Sequence, residues 1–397
     1  PPVTTLSLPA LDPTSDAFLD DQPATLAAAR AQAPVAESPF GLHVLTHAGC
    51  DALLRDPRLH PGVAKLCAAS GITGGRFHED FTTSLLTASG ERHRRLRRPV
   101  NPFFTARTLE RSRVWLRDYV VRLVDGVRGR DAVDLHGEIA VLIPSALFCR
   151  MVGVGESEIP FVARVSDAVL RIFEKDPAHA PRITAAYDEL ADWCEDLLAL
   201  RRRDPGDDLA SVLATADELT PAEQVNLLTT ILEASTDNTS NQLSLAVDLL
   251  VDRPDTWAGL RTAGADAVGA AVDEAMRLRP RVTTGNRTCD EDLEVLGVPV
   301  PAGSWVFASV LSAQRDPALH DDPDAFRPGR PRVGAPLLFG LGPHYCIGAG
   351  LARMELEVAL EVFLDRWVAV DRAAPAVRFR SWSQDGLVTL PLAPRAA

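Results

Sequence analysis

One predicted helix dominates what this chain can fold into. It begins after Thr220 and runs to about Val251, where the sequence Asp-Arg-Pro ends it. Thr220 is a good N-cap residue, Pro221 suits the first helical position, and Glu223 completes a capping box. About 30 residues make a rod of about 45 Å, which is long enough to cross a whole domain.

The remaining sequence predicts a mainly α chain with a smaller β portion toward its C-terminal half. Residues 56–90 lack a sustained period and contain Gly and Pro, so they are predicted to form a long loop. The residues "AVRFRSWSQDGLVTLPL" are predicted to form a terminal hairpin. No linker or repeat divides the chain, which predicts one domain over residues 1–397. The other predicted helices cover residues 23–33, 47–55, 91–128, 134–152, 156–175, 178–203, 265–279 and 348–367.

Composition excludes several classes of protein. The net charge of −13 argues against broad nucleic-acid binding. No run of about 18 apolar residues appears, so no membrane span is predicted. The N-terminus has neither a basic start nor an apolar signal core, and the six cysteines show no paired spacing. A cytoplasmic protein with reduced thiols is therefore expected.

One cysteine has unusual surroundings in the sequence "FGLGPHYCIG", residues 339–348. Cys346 lies just before a predicted helix, whose positive end would stabilise a thiolate. Gly342 and Gly348 allow turns and close approach, and Phe339 can shelter the sulfur from water. One sheltered thiolate without a second cysteine nearby is wrong for tetrahedral zinc but suits the axial position of a haem iron. The alternative is a structural buried cysteine, which is common for this residue type.

This loop resembles the haem-binding signature of the cytochrome P-450 family, F-x-x-G-x-x-x-C-x-G, and the resemblance extends over essentially the whole chain. It implies the cytochrome P-450 fold, with heme b between a long distal helix and a proximal helix preceded by the cysteine loop. Cys346 would be the axial ligand of the iron, and Phe339 and Gly348 would contact the cofactor.

The same resemblance implies a structural network and a set of partners for the haem propionates. Glu274 and Arg277 match the family's E-x-x-R helix, with Arg330 as the third member; the alternative is an ordinary surface pair. The network would brace the loop behind the haem. The implied propionate partners are His93, Arg97, Arg287 and His344.

The long helix departs from the family pattern. Ala234 stands in the small pair and Asp237 at the acid, but Asn238 stands where threonine is usual. Thr239 is turned by about 100° from that position. In the family, the acid and the alcohol help to guide protons during dioxygen reduction, and an amide is a poor proton relay. Either ordered water or a substrate group delivers the protons, or the reaction differs from simple hydroxylation, or the substitution is merely tolerated.

Glu233 matches a family position that usually carries an apolar residue of the substrate pocket. A carboxylate there could bind a substrate N–H or cation; the alternative is a side chain turned toward solvent or a neighbouring helix. The other pocket candidates are Phe81, Leu85, Thr230, Ala234, Val282, Thr283 and Trp382.

The resemblance implies a soluble bacterial monooxygenase that hydroxylates a small natural product with O₂. Two electrons would come from a separate ferredoxin and its NAD(P)H-dependent ferredoxin reductase, since no reductase domain is recognised. Oxidative C–C or C–N coupling without oxygen insertion is the alternative within the family, favoured by Asn238 and Glu233. A non-catalytic haem sensor is the alternative of another class.

Overall fold

The computed structural model describes residues 7–331, 333–334 and 336–396. The chain divides into two compact units, each assembled from separated segments. The first contains the chain up to Gly62, Asp273–Cys346 and Phe379–Asp385. The second contains Val63–Val272, Ile347–Arg378 and the chain from Gly386 onward. The single domain expected over residues 1–397 stays a prediction.

Helices make up most of the described chain, as predicted. They are α1 (Asp16–Asp20), α2 (Gln22–Gln32), α3 (His47–Arg55), α4 (Val63–Ala69), α5 (Arg76–Thr82), α6 (Gly90–Arg97), α7 (Ala106–Gly126), α8 (Leu142–Met151), α9 (Ile159–Leu170), α10 (Ala180–Arg203), α11 (Leu209–Ala214), α12 (Pro221–Val251), α13 (Pro254–Ala263), α14 (Ala265–Leu278), α15 (Val310–Ala313) and α16 (Ala349–Arg366).

The strands are short. They are β1 (Val35–Ser38), β2 (Gly41–Val44), β3 (Leu59–His60), β4 (Val133–Asp134), β5 (Gly285–Cys289), β6 (Leu293–Val295), β7 (Val298–Val300), β8 (Trp305–Ala308), β9 (Trp367–Arg372), β10 (Val377–Arg378), β11 (Leu387–Thr389) and β12 (Pro391–Ala396).

The first unit is built on a five-stranded sheet of order β1-β2-β8-β5-β3. Strands β1 and β2 form an antiparallel hairpin, and β2 runs parallel to β8. Gly41 begins β2 with φ of +146°, and a Cβ there would collide with the carbonyl oxygen of Trp305 on β8. The hairpin can therefore approach β8 only with glycine at this position. Apolar side chains of α3, α15 and the sheet form the core behind it.

The second unit packs helices around α12, which contacts α8, α9, α10 and α16. The predicted cap is confirmed: the Thr220 hydroxyl accepts from the Glu223 N–H at 3.2 Å, and the Glu223 carboxylate accepts from the Thr220 N–H at 3.0 Å. Strand β12 pairs with β4 and β9, and β10 pairs with β11 as the predicted terminal hairpin. None of the helices in the described ranges is long and apolar enough to cross a membrane.

Two predictions of secondary structure are wrong. Residues 56–90 are not a loop, because they contain β3, α4 and α5. The predicted helix 91–128 is broken between α6 and α7 by a 3₁₀ turn at Asn101–Phe104. Pro99 and Pro102 lie in this break, and proline removes a backbone donor and blocks the preceding helical turn.

Candidate functional site

The cysteine loop of the first unit contains two tight turns. Short 3₁₀ turns cover Leu337–Phe339 and Gly342–His344. Gly340 and Gly342 have φ of +68° and +66°, a backbone region in which side chains are strained. The Cys346 N–H donates to the Phe339 carbonyl at 2.9 Å, which folds the loop back on itself. Cys346 is exposed, whereas the other five cysteines are buried, so its sulfur is the accessible one.

The first unit also contains a buried ionic network centred on Glu274. Glu274 on α14 is 4% exposed and accepts from Arg277 at 2.8 and 2.9 Å and from Arg330 at 2.9 Å. The backbone N–H of Arg327 donates to the same carboxylate at 2.8 Å. Burial raises the pKa of Glu274, but these hydrogen bonds outweigh it and hold that pKa below its usual value. The arginines also donate to backbone carbonyls of residues 314–325, so the network fixes this segment.

Arg287 is a buried cation on β5 of the first unit. It is 8% exposed, and its guanidinium donates to the neighbouring Asn286 carbonyl at 2.8 Å. Burial lowers its pKa to about 10. Across the described ranges it forms no salt bridge with a carboxylate. A buried guanidinium without an acid is costly, so this site fits an anionic group such as a haem propionate.

The other predicted propionate partners are divided between the units. His344 is half-buried in the cysteine loop of the first unit. His93 and Arg97 lie one turn apart on α6 of the second unit, with His93 buried and Arg97 half-buried. Burial, and then the charges of Arg97 and Arg94, lower the pKa of His93. Within the first unit, the exposed thiol of Cys346 and the buried guanidinium of Arg287 are of the types that fit a cofactor carrying a metal and carboxylates.

The middle of α12 has an accessible stretch. Most residues from Gln224 to Glu233 are buried, and burial resumes at Thr239. Between them Ala234 is exposed, and Asp237 and Asn238 are half-buried. These three lie at i, i+3 and i+4, which places them on one face of the helix. Within a buried helix such a stretch borders open space, in keeping with a role next to substrate or cofactor.

Hydrogen bonds fix the polar groups of this stretch. The Asn238 amide donates to the Ala234 carbonyl at 3.4 Å. The Asp237 carboxylate accepts from the Asn241 amide at 2.9 Å, and the Asn241 oxygen accepts from the Leu387 N–H at 3.1 Å. Asn241 thus joins α12 to β11. The sequence analysis did not identify Asn241. Its position was a usable signal, because Asn241 follows Asp237 by four residues and therefore lies on the same face of the helix.

Glu233 is turned toward neighbouring helices of the second unit. It is 5% exposed, and its Oε1 is buried without a hydrogen-bond partner. Burial, and then the charge of Asp80 on α5, raise its pKa to about 8. Burial and the charge of Glu233 in turn raise the pKa values of Tyr187 and Cys194 on α10. The side chain is therefore turned away from solvent and toward neighbouring helices, and binding of a substrate N–H or cation by Glu233 stays a prediction.

Three further pocket candidates, Phe81, Leu85 and Thr230, belong to the second unit. Phe81 is buried on α5 and stacks on Phe77 with ring centroids 5.0 Å apart. Leu85 is half-buried. The hydroxyl of Thr230, which is buried on α12, donates to the Asn226 side chain at 3.4 Å. Their contact with substrate stays a prediction.

Three pocket candidates belong to the first unit. Val282 is half-buried, and the Thr283 hydroxyl donates to the Trp382 carbonyl at 3.1 Å. The Trp382 ring stacks on Phe40 and meets Phe307 edge-on, with ring centroids 5.5 and 5.1 Å apart. Trp382 is therefore packed into an apolar core, and a role in substrate binding stays a prediction for all three.

Comparison with known proteins identifies the family. Residues 178–370 match the model of the Cytochrome P450 family. The chain is 31% identical to luteothin monooxygenase of Streptomyces thioluteus over 90% of this chain and 89% of that protein. It is 35% identical to erythromycin C-12 hydroxylase of Saccharopolyspora erythraea over 86% of this chain and 87% of that protein.

A solved structure agrees with these relatives. The structure of cytochrome P450 CYP109Q5 from Chondromyces apiculatus is 29% identical and superposes with a TM-score of 0.86, covering 98% of this chain and 99% of that chain. The fold, the signature loop and the relatives agree, and the relatives are named as a monooxygenase and a hydroxylase. The chain therefore belongs to the cytochrome P450 family of haem-thiolate oxygenases.

Proposed function

We propose that this chain hydroxylates a small natural-product-type substrate, with Cys346 as the axial ligand of heme b. The exposed thiol of Cys346, in a loop with the full family signature, carries the proposal. The names of the relatives support the substrate class, since luteothin and erythromycin are natural products of bacteria. The electron donors are a separate ferredoxin and its NAD(P)H-dependent ferredoxin reductase, and the protein acts in the cytoplasm.

Bound haem would supply the activation of dioxygen, with the balance R–H + O₂ + 2e⁻ + 2H⁺ → R–OH + H₂O. This chain supplies the Cys346 thiolate and the basic groups that hold the propionates. Arg287 is the strongest of these, because its guanidinium is buried and lacks an acidic partner within the described residues. His93, Arg97 and His344 would complete the set.

The accessible stretch of α12 would deliver protons to the reacting oxygen. Asp237 would act as the acid, and its carboxylate is held in place by Asn241 at 2.9 Å. Asn238 lacks a hydroxyl, but its amide can hold a water through one donor and one acceptor. That water, or a polar group of the substrate, would carry protons from Asp237 to the reacting oxygen.

Oxidative C–C or C–N coupling is the second candidate, favoured by the amide of Asn238 on the accessible face. Coupling would have the balance R–H + R′–H + O₂ + 2e⁻ + 2H⁺ → R–R′ + 2H₂O, so both oxygen atoms leave as water. Product mass separates the two reactions, because hydroxylation adds one oxygen atom and coupling adds none. A non-catalytic haem sensor is not retained, since the relatives are named as enzymes.

The axial ligand is tested by the spectrum of the reduced protein with carbon monoxide. The wild type should show the red-shifted Soret band of thiolate ligation, and Cys346→Ser should lose it. Cys67→Ala is the matched control, because it removes a buried thiol of α4 and should keep the band. A wild-type-like thiolate band in Cys346→Ser would refute the assignment.

A further inference from the structure

A buried polar cluster lies where α5, α10 and α12 meet in the second unit. The Tyr187 hydroxyl donates to the Asp80 carboxylate at 2.9 Å. The Asn226 amide donates to the Asp80 backbone carbonyl at 2.6 Å. The Tyr187 hydroxyl also lies 3.4 Å from the Thr229 hydroxyl. One face of α12, marked by Asn226 and Thr229, is therefore directed at Asp80 and Tyr187.

Glu233 continues this face, since it follows Thr229 by four residues, or about one helical turn. Its side chain is 5% exposed, and Oε1 has no hydrogen-bond partner. Buried carboxyl oxygens are normally hydrogen-bonded, and leaving one unsatisfied costs stability. The unsatisfied oxygen therefore indicates a missing partner rather than a packing role.

The carboxyl groups of the cluster are not paired directly with a cation among the described residues, although the charge of Arg76 acts on Asp80 from a distance. Among the described residues, no basic side chain forms a salt bridge with Asp80 or Glu233. Arg76 stands one turn before Asp80 on α5, but its guanidinium bonds to Asp192 at 2.6 Å and to Glu195. The cluster thus offers acceptor oxygens, the charge of Asp80 and a second carboxyl group that a bound cation would cause to ionise. Its natural complement is a cation that donates an N–H.

We propose that Asp80 and Glu233 form a subsite that binds a protonated amine of the substrate. This inference rests on the proposed function and specifies its substrate class. Ala234, the next residue after Glu233, begins the accessible stretch of α12, so a molecule anchored by its amine can extend along that stretch. An organic cation is favoured over a metal ion, since the described chain has no group of three or more His, Cys, Asp or Glu side chains able to hold one.

The test compares two probes of matched shape on the haem-loaded protein. N,N-dimethyldecylamine is protonated at neutral pH, and N,N-dimethyldecanamide is neutral. Isothermal titration calorimetry should show that the amine binds about tenfold more tightly or better, the range expected for a buried charged hydrogen bond. Glu233→Gln and Asp80→Asn should each remove that preference and leave amide binding unchanged.

Glu79→Gln is the matched control, because Glu79 is an exposed acid beside Asp80 on the same helix. It should keep the preference for the amine, which excludes a general effect of surface charge. Equal affinity of wild type for both probes, or an unchanged preference in Glu233→Gln, would overturn the subsite. If the preference is absent while the thiolate band with carbon monoxide is present, the subsite fails and the oxygenase function stands.

The pH dependence gives a second readout. A cation favours the ionised form of Glu233, so amine binding should release a proton below about pH 8 and strengthen as the pH rises toward that value. The other titratable groups facing this site are Asp80 and Arg76 on α5 and Tyr187 and Cys194 on α10. Glu233→Gln should abolish the proton release; release that persists in this variant would assign the titration to another group.

Discussion

Glu233→Gln is expected to stabilise the substrate-free protein at alkaline pH. Burial raises the pKa of Glu233 to about 8 from an ordinary value of 4.5. The folded state therefore holds the proton more tightly than the unfolded state does. For a group whose pKa is raised by folding, stability is fully present below the ordinary pKa and is lost as the pH rises through the folded-state value.

The magnitude follows from the same two values. Each pKa unit corresponds to about 1.4 kcal/mol. Relative to low pH, the free energy of unfolding is lower by on the order of 3 kcal/mol at pH 7, where Glu233 is ionised mainly in the unfolded state. The loss approaches about 5 kcal/mol well above pH 8, where Glu233 is ionised in both states. Glutamine keeps the shape of the side chain and cannot ionise, so it escapes this loss.

Urea unfolding of the haem-loaded protein measures the effect. Between about pH 5.5 and about pH 8.5, the stability of Glu233→Gln relative to wild type should rise by about 3 kcal/mol. Exposed Glu79→Gln serves as the control and should show no such trend. A difference between Glu233→Gln and wild type that stays constant over this pH range would refute the reasoning, because Glu233 would then be ionised in the folded state as well as in the unfolded state.

Two further predictions concern the cofactor and proton supply. Arg287→Met should weaken haem retention by about 1–3 kcal/mol, since a buried charged hydrogen bond to a propionate is lost. The rate of haem transfer to an apo-globin measures this effect, with exposed Arg395→Met as the control. Equal transfer rates in wild type and Arg287→Met would remove Arg287 from the propionate partners. Asn238→Thr should raise the share of oxygen-inserted product if coupling is native, and Asn238→Ala should increase hydrogen peroxide release several-fold. The measurement is the balance of products and peroxide per NAD(P)H consumed, and identical balances in wild type and both variants would make Asn238 a passive replacement.

Features set by local chemistry could be predicted from the sequence. The start of α12 is fixed by the reciprocal hydrogen bonds of Thr220 and Glu223, both of which lie within one turn. The cysteine loop is likewise a contiguous motif. In contrast, α4 and α5 were missed, because such short helices depend on tertiary packing. Phe77 and Phe81 on α5 stack on each other, and Phe77 packs edge-on against Tyr187 of α10, which no local pattern reveals.

The polar cluster around Glu233 shows the same limit within the site. Asp80 and Tyr187 are 107 residues apart in sequence, and Asn226 and Asp80 are 146 apart. The register of α12 identified Glu233 as unusual, but only the packing of α5 and α10 shows which groups it faces. The groups that surround a buried carboxyl group cannot be deduced from sequence spacing when those groups lie on different helices.

The register of α12 connects the two parts of the proposed mechanism. Glu233 and Asn238 are five residues apart, which separates them by about 7.5 Å along the helix axis. An amine held at Glu233 would therefore fix the position of the substrate relative to the accessible face that carries Asp237 and Asn238. The hydrogen bond from Asn241 to Asp237 fixes the far end of that span, and the Leu387 N–H in turn holds Asn241. One rigid helix would then set both which group of the substrate is anchored and which part of it lies beside the proton supply, so binding selectivity and site of oxidation would be altered together by shifts in α12.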